Sequence, residues 1–238
     1  MPITFKNIQS STVVAHLLYL FMAVVAWVVY KLIVSHYASI LPLTVLLKYP
    51  YLSFYVLTAF VLVTFYLIDT ALVRRNNRFV GKVSRSQFIR YSLLVIAVYG
   101  IMCLLTVTSL VDMEPSMRYI DAHFDSLRTE GFLIESLALI LLAPIVEELL
   151  YRHFLLGVIG FQTPYPLQIF MVVIVSILFS IQHHQYVNMT TNFQIFLLGV
   201  IFGYARMISG GLALPLYLHS LAIASGLLLN EFYISLGL

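Results

Sequence analysis

Glu147, Glu148, Arg152 and His153 fall within seven residues of one apolar run of this 238-residue chain. His183 and His184 close the next such run, and His219 stands inside the last. Ionisable side chains are costly inside a bilayer, so they pair with one another or line a polar cavity. Charge is scarce elsewhere in these runs, which is not how a lipid-facing surface looks. A carboxylate beside histidines can take a proton from water, and an arginine can hold a second carboxylate in place.

The spacing assigns these groups different tasks. On a helix Glu148 and Arg152 are four residues apart and share a face, with the acid on the N-terminal side, the better order for a pair. Glu147 points about 100° away and has Tyr151 one turn on. One carboxylate is thereby neutralised while the other is free for proton transfer. A purely structural pair would explain Glu148 and Arg152 but not Glu147. Pro144 removes a backbone hydrogen bond beside the glutamates, and Pro215 does so one turn before His219. His184 reads as an interfacial histidine, and His219 alone is balanced between a core residue and a site residue. Other hydrolase signatures are missing: no His-Glu-x-x-His, no Gly-x-Ser-Gly and no Gly-x-Gly-Asp occurs. Glu147, His183 and His219 could hold zinc, since sites with two histidines and a glutamate exist. They come from three separate runs without a local ligand pair, which favours a metal-free glutamate–water chemistry over zinc.

The elements that must position these residues follow from composition. The chain is 61% hydrophobic and 10% charged, with a mean hydropathy of +0.98. Soluble helices need a polar face that this balance does not supply. The continuous apolar runs exclude the alternating pattern of a barrel. The expected fold is an all-α polytopic transmembrane bundle of about seven spans, at 12–34, 51–73, 88–110, 132–157, 166–186, 190–208 and 211–230. The first run is too long for a signal-peptide core and reads as a retained span. The lone Cys103 offers neither a disulfide nor a cysteine metal site. Arg74, Arg75, Arg78, Lys82, Arg85 and Arg90 follow the second span, whereas Asp112, Glu114, Asp121, Asp125 and Glu130 outnumber Arg118 and Arg128 after the third. Positive residues stay inside, so the basic loop and the N-terminus are expected in the cytoplasm. That loop would meet anionic lipid headgroups, and nothing points to nucleic acid. Asp69, near the end of the second run, reads as an interfacial acid. Straight helices at 1.5 Å per residue would leave Glu147 toward the inner face and His183 toward the outer, ten ångströms or more apart. Bent helices or shifted span ends are needed to bring them together.

Three motifs in order resemble one family. Glu147-Glu148-x-x-x-Arg152, Phe179-x-x-x-His183 and a late-span His219 are similar to the pattern of the CAAX-protease and bacteriocin-processing (Abi) family of intramembrane proteases. Ala143-Pro144 and the stretch Phe196 to Tyr204 look like it as well. The resemblance covers about 130 to 230. It divides the chain into N-terminal helices and loops at 1–131 and a catalytic core at 132–238. It implies an endopeptidase that cleaves a peptide or membrane-protein substrate. Glu147 would be the general base, His183 would hold the water, Glu148 and Arg152 would brace the site, and His219 would donate to the oxyanion. Family members usually carry a polar residue four positions after the last histidine, where this chain has Ile223. Losing an oxyanion donor typically costs about 10²–10³ in rate. The chain's compact size suggests a bacterial cell-membrane protein of the peptide-maturation or bacteriocin-immunity type. The alternative is a non-catalytic scaffold or immunity protein that keeps the fold. A proton-coupled transporter is disfavoured because the two halves lack matching broken helices. The oligomeric state is left open.

Overall fold

The computed structural model describes residues 5–73, 79–115, 129–159 and 164–237, among which no strand occurs. Six helices are long and apolar enough to cross a membrane. They are α1 (Phe5–Ile40), α3 (Pro50–Val73), α4 (Arg85–Val107), α7 (Tyr165–Gln182), α8 (Met189–Ser209) and α9 (Ala213–Ser235). A short α2 (Leu43–Lys48) joins the first two. A further helical run carries the glutamates and changes type along its length. It passes from α5 (Thr129–Leu137) through a π-helical turn, Ala138–Leu142, into α6 (Ala143–Glu148). A second π-helical segment, Leu149–Leu155, and a 3₁₀ turn, Leu156–Ile159, complete it. Six uninterrupted helices and this broken run together match the expected bundle of about seven spans. Residues 74–78 of the basic loop and 116–128 of the acidic one, including Arg118, Asp121, Asp125 and Arg128, lie outside the described residues.

Side-chain size sets how the helices meet. Leu17, Phe21, Phe60, Leu93, Leu104, Phe170 and Leu228 point outward, where lipid replaces water as the solvent. Inside, Met22, Ala23 and Ala26 of α1 and Ala59 and Leu62 of α3 pack with Val146, Leu150, Phe154, Val175 and Phe179. The N-terminal helices and the glutamate-bearing run therefore share one core. Helices α7 and α8 approach closely because Gly199 and Gly203 face α7. A Cβ at Gly199 would stand 3.1 Å from the Ser176 Cβ, and one at Gly203 would stand 2.9 Å from a Val172 methyl. Small residues spaced four apart are how helices gain contact in lipid, where no hydrophobic drive separates helix from tail.

Polar groups fix the helix ends. Ser84 and Gln87 form a capping box at the start of α4. The buried Glu135 of α5 accepts from the Leu52 N–H at 2.9 Å, which caps the free end of α3. Glu114 accepts from the N–H groups of Val187 and Asn188 and so holds the chain just ahead of α8. At the other face Gly210 closes α8 in the left-handed conformation. The strand-like stretch Phe79–Lys82 then bonds through its backbone to Ser209, Leu212 and Ala213.

Candidate active site

The five candidate residues converge. Glu148 Oε1 accepts from Arg152 Nη1 at 2.9 Å, and His219 Nδ1 lies 2.8 Å from the same oxygen. Glu148 and Arg152 are fully buried. Arg152 Nη2 also donates to the Gly199 carbonyl at 3.2 Å, and its guanidinium carbon lies 4.6 Å from the Phe179 ring centre. Glu148 is thus a hub: its charge is held by Arg152, and it fixes the imidazole of His219 in place.

Glu147 points the other way, into a cavity of about 700 Å³ whose wall includes His183, His219 and Ile223. Its Oε2 lies 3.8 Å from His183 Nε2 and 3.6 Å from His219 Nε2. That oxygen has no hydrogen-bond partner among the described residues. His183 Nδ1 donates to the Phe179 carbonyl at 2.7 Å. A neutral His183 therefore keeps its Nε2 lone pair free for the space beside Glu147. Phe179, four residues earlier, also packs edge-on against His183 and His219. The motif thus carries two tasks: its histidine lines the cavity and its phenylalanine packs beneath.

The distance expected between Glu147 and His183 is corrected by the helix types. A π-helical turn widens the helix and bends its path, so counting 1.5 Å per residue overstates how far the run descends. The helix α7 ends at Gln182, and His183 caps it with a non-helical backbone that turns the imidazole back toward Glu147. Pro144 sits at the junction of π turn and α6, where a bend was expected. Pro215 does not bend α9: it lies in the first turn, where its missing N–H leaves nothing unpaired.

One placement agrees with what the residues alone suggested and one differs. His184 is exposed, and its ring donates to the Gln182 carbonyl at 3.0 Å, as an interfacial histidine would. Asp69, however, is not interfacial. It is fully buried and lies 2.8 Å from His153, whose ring packs on Tyr66. This second pair braces the run behind the site without reaching the cavity. Glu114 and Glu135 were legible only as acids; their backbone partners are distant in sequence, and no local pattern announces them.

Residues 129–224 match the family described as Type II CAAX prenyl endopeptidase Rce1-like. That segment, less than half of the chain, is similar to the family. The Rce1-like family is a protease family, the one that the three motifs resemble, and its matched segment holds all five converging residues. Over 93 residues the chain is also 42% identical to an "Uncharacterized 24.3 kDa protein" of Escherichia coli, a match covering 39% of this chain and 42% of that relative. The match therefore spans less than half of the relative's length. No solved structure matches the chain.

A metal was one possibility for Glu147, His183 and His219. Ligands around tetrahedral zinc, bonded at about 2.0–2.1 Å, lie about 3.3–3.4 Å apart. Both Nε2–Oε2 separations are longer, and no three metal-binding side chains among the described residues are gathered into such a group. The donor set does not fit zinc as it is placed. The same separations leave room for one water in contact with Glu147 and His183.

Proposed function

We propose that the chain is an intramembrane endopeptidase that hydrolyses a peptide bond with a water activated by Glu147, without a metal. The observation that carries the reading is Glu147 Oε2, unpartnered on a cavity wall, with two histidines from other helices beside it. A water there donates one hydrogen to Glu147 and the other to His183 Nε2, which leaves an oxygen lone pair for the substrate carbonyl. As the C–O bond forms, the carboxylate takes the proton and the carbonyl electrons move to its oxygen. Collapse of that intermediate breaks the C–N bond, and the Glu147 proton passes to the leaving nitrogen. Glu148 accepts from His219 Nδ1–H, so donation from Nε2 as well requires both ring protons. Two carboxylates, Arg152 and this imidazolium then sum to zero, a balance suited to a water-poor pocket. The oxyanion arises where Nε2–H stands ready.

The substrate is a peptide or membrane protein of the maturation or immunity type. The bacterial relative supports a bacterial setting. The cavity wall includes Asp112 and Glu114, at the acidic end of the bundle. A second reading, a scaffold or immunity protein without catalysis, is favoured by one observation: Ile223 lines the cavity where relatives usually place a polar group. The test compares cleaved peptides, by proteomic detection of new N-termini, in cells carrying wild type, Glu147→Ala, His183→Ala or His184→Ala at equal membrane levels. Products that vanish in the first two variants and persist with His184→Ala support the protease. Identical profiles throughout would leave the scaffold as the function. Activity in purified protein should survive 1,10-phenanthroline; loss restored by zinc would overturn the metal-free chemistry.

A further inference from the structure

The apolar Ile223 leaves His219 as the only named oxyanion donor, and the cavity wall carries several hydroxyls from which a second could come. The Tyr186 ring stacks on His183 at 6.1 Å, and Tyr233 stands near the C-terminal end of α9, far along that helix from His219. Tyr99 lies against Gly226, with its hydroxyl 3.5 Å from where a Cβ there would be. Tyr55 sits on α3, which packs directly on the segment that carries Glu147. It lines the same cavity as Glu147, His219 and Ile223. Its hydroxyl forms no hydrogen bond among the described residues, and it lies within range of the Glu147 charge.

The fold holds Tyr55 in place from below. Its ring packs against the core that includes Val146 and Phe179, and against Phe54 at 5.1 Å. One turn earlier the Glu135 carboxylate caps α3 at Leu52. Both α3 and α9 pack on the run that carries Glu147, so Tyr55 and His219 approach the reacting centre from different helices. A phenol with a fixed ring and a free O–H costs no reorganisation when charge develops beside it.

We propose that Tyr55, in the half of the chain outside the family match, is a catalytic residue that donates its hydroxyl hydrogen to the oxyanion in place of a polar group at position 223. This rests on the protease reading. The experiment follows the rate at which Glu147-dependent products accumulate after induced expression of wild type, Glu147→Ala, Tyr55→Phe, Tyr55→Phe/Ile223→Asn and Gln194→Leu, at matched membrane levels. Tyr55→Phe should slow accumulation about 10²-fold, the usual effect of losing one such donor, and adding Ile223→Asn should recover at least tenfold of that. A mere packing role for the ring would not be rescued from α9. A Tyr55→Phe rate equal to wild type, or a loss that Ile223→Asn does not lift, overturns the proposal while the protease reading stands. A loss in Gln194→Leu instead would put the donor on α8 and overturn it as well. If Glu147→Ala matches wild type, the protease reading itself falls, and this proposal with it.

Discussion

Two adjacent glutamates do opposite work because their side chains leave the helix in different directions. Glu148 is sealed against Arg152 and His219, whereas Glu147 keeps an oxygen free at a cavity. Removing one partner of a buried pair costs about 3–5 kcal/mol, since the other charge stays buried alone. Glu148→Ala should therefore lower the thermal midpoint in detergent sharply and abolish cleavage. Glu147→Gln should abolish cleavage with the midpoint almost unchanged. Equal destabilisation by both would contradict the division of labour. Asp69→Ala tests the second pair: the midpoint should fall while the product rate per folded molecule holds. The first pair was legible because four residues separate its members. The second was not, because Asp69 and His153 lie 84 positions apart and only the packing of α3 on the glutamate run joins them.

At the scale of the element, the apolar runs were readable and their internal geometry was not. A π-helical turn has the same composition as an α-helical one, so nothing in Ala138–Leu142 or Leu149–Leu155 marks where the run widens. The broken run and the early end of α7 at Gln182 together leave Glu147 and His183 side by side, where straight-helix counting separates them. The closeness of α7 and α8 has a visible source in the glycines of α8, and this gives a prediction. A methyl at Gly199 would meet Ser176 Cβ at 3.1 Å and its Cα at 3.2 Å, so α7 must shift as a unit. Overpacking of this kind costs about 1–3 kcal/mol, and a displacement near 1 Å at a reacting group costs about 10²-fold in rate. The few tenths of an ångström required here are less than that, so Gly199→Ala should lower product formation by less than that order because His183 rides on the end of α7. Adding Ser176→Gly should recover the rate by removing the obstructing Cβ. A single variant as active as wild type would show that α7 does not set the position of His183.

The whole molecule has two faces that the contacts define independently of hydropathy. The stretch Phe79–Lys82 bonds to the α8–α9 turn, while Asp112 and Glu114 bond to the α7–α8 connection. Seven crossings in alternation put these two pairs at opposite ends of the bundle, which is the arrangement found. The positive-inside rule assigns the basic end to the cytoplasm, which would put the end of the cavity lined by Asp112, Gln185 and Tyr186 outside. Such a placement suits an exported peptide better than a substrate held at the inner leaflet. In a Cys103→Ser background, a cysteine at Asp112 or Gln185 should react with a membrane-impermeant maleimide in intact cells. A cysteine at Lys82 should react only after the membrane is opened. The reverse pattern would turn the cavity toward the cytoplasm, and a substrate presented at the inner face would then become the better candidate.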